Sequence, residues 1–215
     1  MKKTILIIMA VMFLFTGHMP AFYYSNDTCE AFSACTGGGE KSTGGSSMGQ
    51  LIIEGAGYFL NSHADMLKFL NRVEMSQLSG PDYPELQDIL DSAIKNMENA
   101  AETYKILIST AKETPYNPGV IAKLATFDYQ GYRQKNEMNV EIFSRITAYL
   151  IKGDVTGVYI LLKSDMDHII KKLHNVKRKI DGNIFPDIST LWRVNDKYSE
   201  SLLSGQYISE VFMAL

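Results

Sequence analysis

His63, Asp165 and His168 are the residues whose types and positions come nearest to a chemical site in this sequence. His63 interrupts an apolar seam, Ile52, Ala56, Phe59, Met66, Leu70 and Val73, whose steps of three and four mark one face of a helix. Asp165 and His168 lie on a second helical segment with an equally regular seam. Suppose a helix starting near Met48 and another ending near Asp181 run antiparallel with those ends level. At about 1.5 Å per residue, His63 then stands roughly 23 Å from that end, Asp165 roughly 24 Å and His168 roughly 20 Å. This placement predicts that the three meet. A buried His–Asp hydrogen bond is the preferred reading. The alternative is a divalent-metal site completed by another ligand, since imidazole and carboxylate suit zinc or a similar ion.

Other motifs point to less chemistry. Asp165-Met166-Asp167-His168 occurs once and with Asp, whereas carboxylate-bridged dimetal bundles repeat Glu-x-x-His. The stretch CTGGGEKSTGG, Cys35 to Gly45, imitates a phosphate loop, but Glu40 stands where such a loop needs glycine before Lys41, and no strand-like run precedes it. No nucleotide is expected. Cys29 and Cys35 are the only cysteines, and their spacing fits a small local disulfide and not a haem or zinc signature. No serine sits in a Gly-x-Ser-x-Gly elbow. With no organic or metal cofactor indicated by a motif, none is expected beyond the divalent-metal alternative.

Charge is unevenly spread. Pro81 to Thr103 holds six acids and one lysine, while Lys163 to Lys179 holds six bases and two aspartates. Lys171, Lys172, Lys177, Arg178 and Lys179 form a candidate basic patch for an anionic lipid, a glycan or an acidic partner. The helix macrodipole, which favours acids early and bases late in a helix, accounts for part of the pattern. Tyr116, Tyr129 and Tyr132, with Tyr23 and Tyr24, fall in stretches lacking helical spacing, where they offer contact surface or pack on the ends of the fold.

The elements that would position these residues are helices throughout. Periodic apolar segments run from about Gln50 to Ser79, Pro84 to Thr114, Asn136 to Lys152, Val155 to Gly182 and Pro186 to the end, with a shorter piece near Pro118 to Ala125. No alternating strand pattern appears. The expected fold is all-α, an up-and-down antiparallel helical bundle of four to five long helices. It covers residues 48–215 and follows a disordered Cys/Gly/Ser-rich tether over 22–47.

Residues 1–21, MKKTILIIMAVMFLFTGHMPA, read as a signal peptide: Lys2 and Lys3, an apolar run shorter than the roughly 20 residues that span a bilayer, then helix breakers. Cleavage near Ala21 would leave 19 basic against 24 acidic residues, a charge of −5, which disfavours general nucleic-acid binding. The sequence thus predicts a protein exported to the periplasm or the extracellular space, where it serves as a non-catalytic interaction or structural module for another envelope or extracellular protein. A ligand- or metal-binding bundle, enzymatic or not, with its site around His63, Asp165 and His168, is the alternative.

Overall fold

The computed structural model describes residues 47–114 and 116–215. They form seven helices and no strand: α1 (Met48–Ser79), α2 (Tyr83–Glu113), α3 (Pro118–Thr126), α4 (Tyr129–Lys135), α5 (Val140–Leu150), α6 (Val155–Asp181) and α7 (Ile188–Ala214). The expected all-α class is present, but the count of four to five helices is corrected to seven. The proposed signal peptide, the Cys29–Cys35 disulfide and the tether lie outside the described residues, apart from Ser47.

Each helix begins where the sequence supplies a capping oxygen. Ser47, Asp82, Asn117, Asp128, Asn139, Asp154 and Asp187 accept a hydrogen bond from a backbone N–H in the first turn of α1 to α7 in order. Each satisfies a donor that the helix leaves unpaired, a contribution of about 1 kcal/mol apiece. These caps also explain the extra helices. Between Glu113 and Val155 the chain meets Asn117-Pro118, Asp128 and Asn139, three start signals within a span that could otherwise hold one long helix. Glu137, at φ 52°, turns the chain between α4 and α5.

Four long helices build the core. α1 packs on α2, α2 on α6, α6 on α7 and α7 on α1, while α5 lies against both α6 and α7. α1 and α6 therefore occupy opposite corners. Side chains fix the directions. Arg72 and Asp65 of α1 reach Glu85 and Ser92 of α2, an antiparallel pairing. Tyr83 and Asp91 of α2 meet Asn183 and Lys177 at the end of α6, whereas Tyr104 meets Tyr159 at its start, again antiparallel. α1 and α6 hence run parallel on the diagonal. The irregular segment α3–α5 leaves and returns at one end, so it does not reverse the chain direction as one long third helix would.

That segment covers the end holding the start of α1 and the finish of α7. Lys123 Nζ donates to the Leu215 carbonyl oxygen at 2.7 Å, and the Asn139 N–H donates to the Tyr207 hydroxyl at 2.9 Å. Phe127, Tyr129, Phe143 and Tyr207 follow one another at 5.0–6.3 Å beneath it, the first and last pairs edge to face and Tyr129–Phe143 tilted. The core itself is continuous, from Phe69 and Met66 of α1 through Leu90 and Met97 of α2 to Ile169 and Leu173 of α6 and Leu191 of α7, all nearly inaccessible.

Candidate functional site

The buried polar side chains that bond to one another are not the trio of His63, Asp165 and His168. They are Ser62 and His63 of α1 with Asn195 and Tyr198 of α7, four side chains at the α1–α7 seam, all below one-tenth exposed. Helical spacing aims them there. Ser62 and His63 follow Phe59 on the inner face of α1, and Asn195 and Tyr198 continue the Leu191 stripe of α7.

The proton directions follow from chemistry. Ser62 Oγ is 2.6 Å from the carbonyl oxygen of Ala93 in α2 and 2.6 Å from the Tyr198 hydroxyl. A carbonyl can only accept, so the Ser62 proton goes to Ala93 and the Tyr198 hydroxyl donates to Ser62. One relay therefore links α7, α1 and α2. His63 Nε2 lies 3.0 Å from Asn195 Oδ1, also an acceptor, so Nε2 carries the ring proton. The imidazole stacks on the Tyr198 ring, with centroids 4.9 Å apart and planes 15° from parallel. The Phe59 ring also packs on Tyr198, tilted, with centroids 5.5 Å apart.

Burial sets the ionisation of the cluster. Desolvation lowers the His63 pKa below its ordinary 6.5, and the Asn195 hydrogen bond offsets only part of this. Desolvation likewise pushes the Tyr198 hydroxyl far above its usual value, against a smaller opposing effect of Ser62. The ring is held neutral and the phenol protonated. Ser62, the adjacent hydroxyl, has its proton committed to a carbonyl and not to a base. The arrangement joins three helices through satisfied hydrogen bonds.

The expected meeting of His63, Asp165 and His168 does not occur. Residues at one height meet only on neighbouring helices, whereas α1 and α6 lie on the diagonal and run parallel. Asp165 instead accepts from Arg145 of α5 through both carboxylate oxygens, at 2.8 and 2.9 Å, which ties α5 to α6. His168 is exposed on the outer side of α6. Among the described residues no group of three His, Cys, Asp or Glu side chains is placed to hold a metal ion.

The candidate basic patch divides in two. Lys177 faces α2, 2.6 Å from Asp91 and 3.5 Å from Asp181, and the bond to Asp91 is the main cause of its raised pKa. His174 similarly meets Glu98 at 3.1 Å. The acidic run of the sequence thus lies alongside part of the basic run. Lys171, Arg178 and Lys179 are exposed and Lys172 is half-buried, and among the described residues none of the four enters an ion pair.

Of the tyrosines expected either to offer contact surface or to pack on the ends of the fold, Tyr129 is buried and Tyr116 and Tyr132 are half-buried. Tyr129 donates to the Leu124 carbonyl oxygen at 2.9 Å, and burial pushes its pKa up to about 12. Tyr116 is half-buried with its pKa also raised by desolvation, and Tyr132 packs on Phe127. Ser62 and Arg145 were missed as functional positions in the sequence. The available signal was a serine on an inner helical face, next to an already suspect histidine. No described helix is long and apolar enough to cross a membrane. Compared with family models, curated proteins and solved structures, the chain matches none of them.

Proposed function

We propose that this chain is an exported, non-catalytic interaction or structural module of the cell envelope or extracellular space, an up-and-down helical bundle carried behind an N-terminal tether. The observation that supports the reading is the use made of the buried polar groups. Ser62, His63, Asn195 and Tyr198 are spent on one another and on the Ala93 carbonyl, holding three helices in register, while ionised groups without internal partners face outward on α6. Export rests on the basic and apolar pattern of residues 1–21.

Protein isolated from its own cells tests both parts. Under this reading the protein is recovered outside the cytoplasm with its amino terminus near Phe22, and its absorbance spectrum and metal content are those of a bare polypeptide. An intact Met1 on cytoplasmic material would overturn export. A coloured or stoichiometrically metal-loaded preparation would overturn the non-catalytic reading in favour of a ligand- or metal-binding bundle.

A further inference from the structure

We infer that the outer face of the second half of α6 is a docking strip for an acidic glycan, an extended chain bearing carboxylate or sulfate groups. From His168 to Ile180 the helix carries no acid, yet the chain as a whole has a formal charge of −3. Neighbouring α2 pairs only with the side facing it, Asp91 with Lys177 and Glu98 with His174. The remaining cations stand in two rows: Lys171 with Arg178, and Lys172 with Lys179. Each row spans two helical turns, about 10.5 Å. Asn175 Oδ1 accepts from Arg178 Nη2 and steadies that guanidinium on the outer surface. Four like charges within two turns repel one another, and a partner that supplies anions relieves this.

The shape and chemistry of the strip select the occupant. A helix exterior is convex, so it suits a chain lying along it and not a small anion held in a cradle. Leu173, Ile169, Val176 and Ile180, the apolar side of the same segment, are spent in the core. Ile160 is the exposed large hydrophobic residue of α6, eleven residues before Lys171 and about 16 Å away along the axis. Between Lys171 and Lys179 the strip itself exposes no large apolar side chain, and the exposed Ile184 stands singly past the helix end, unlike the continuous apolar face of an interfacial amphipathic helix. Within each row the two cations stand about 10.5 Å apart along the axis, so an extended polyanion lying on the strip meets both.

The test uses fluorescently labelled heparin as the acidic glycan and the full mature chain, with binding read by anisotropy. Binding at about 50 mM salt is expected to weaken roughly 50-fold at about 200 mM, the dependence for release of counterions by four cations on a flexible chain. Replacing Lys171, Lys172, Arg178 and Lys179 together by Gln is expected to weaken binding at least tenfold with an unchanged helical circular dichroism spectrum. Replacing Lys68, Lys95, Lys105 and Lys112, all exposed elsewhere, removes the same charge and is expected to leave binding within twofold. Equal losses in the two variants would show a net-charge effect and overturn the strip. Heparin binding that is absent at low salt, or association only with phosphatidylglycerol vesicles, would overturn the glycan assignment. The inference rests on the interaction-module reading, but the outcomes separate: a metal-loaded protein that still binds heparin through α6 sinks the earlier reading alone.

Discussion

Removing the Tyr198 hydroxyl by Tyr198→Phe keeps the ring, and with it the contacts to Phe59 and His63, but takes away the proton that Ser62 Oγ receives. The loss of one buried hydrogen bond is about 1–1.5 kcal/mol. Ser62→Ala is expected to cost about 1–3 kcal/mol, because it strands the Tyr198 hydroxyl without an acceptor in a seam where Tyr198 is inaccessible to water. The Ala93 carbonyl keeps its own helical bond. In the double variant neither orphan remains, so the combined loss falls short of the sum by about 1 kcal/mol or more. Urea unfolding of the four proteins, with a common slope, measures each value. For a domain of this size the single changes lower Tm by about 2–4 °C per kcal/mol. Additivity within about 0.3 kcal/mol would refute the relay, and cost-free single changes would show that the seam is wet.

His63 gives a pH dependence of known sign. Its folded pKa lies below 6.5, so between that folded value and 6.5 the unfolded chain binds more protons than the folded one. Stability is full above 6.5 and declines as pH falls through this window; the urea midpoint of the parent should drop between pH 7.5 and 5 more steeply than that of His63→Gln, and equal slopes would contradict a dry neutral histidine. Two glycines of α1 carry opposite predictions. A Cβ on Gly55 would lie 2.8 Å from the Tyr104 ring, whereas one on Gly57 meets nothing within 4 Å. Gly55→Ala should therefore lose about 1–3 kcal/mol by overpacking and Gly57→Ala gain about 0.5–1 kcal/mol, as read from melting curves, and changes of the same sign would show that the α1–α2 packing is misplaced.

Helical periodicity carried most of the fold, because a long amphipathic segment declares both its type and its inner face. The stripes from Ile52 to Val73 on α1 and from Val155 to Ile180 on α6 are the buried ones, and Asp154 and Gly182 sit at the ends of α6 where a cap and a stop were expected. What periodicity does not encode is which helices are neighbours. His63 was rightly placed inside, but its partner depends on whether residues 114–154 reverse the chain, and that turns on three weak local caps competing with a helical apolar pattern. Asn195 and Tyr198 were visible as members of an inner stripe, not as partners for α1. Arg145, on a helix whose neighbours were undetermined, gave no cue that it would claim Asp165.

The four long helices pair as two hairpins, α1–α2 and α6–α7, each with its alignment set by a short turn. Between hairpins no turn sets the alignment, and the α2–α6 contact acts as a spelling check on how they slide. A slip of one helical turn, about 5.4 Å, offers Lys177 either Lys95 or Gln87 in place of Asp91. In one direction two ammonium groups are forced together, and in the other the ion pair is lost. His174 exchanges Glu98 for Ile94 in that second case. The same slips would separate Tyr198 from Ser62 in the interior. Misaligned hairpins are thus rejected twice, once at the surface by charge and once inside by unmet hydrogen bonds, although the apolar stripes alone would tolerate the displacement.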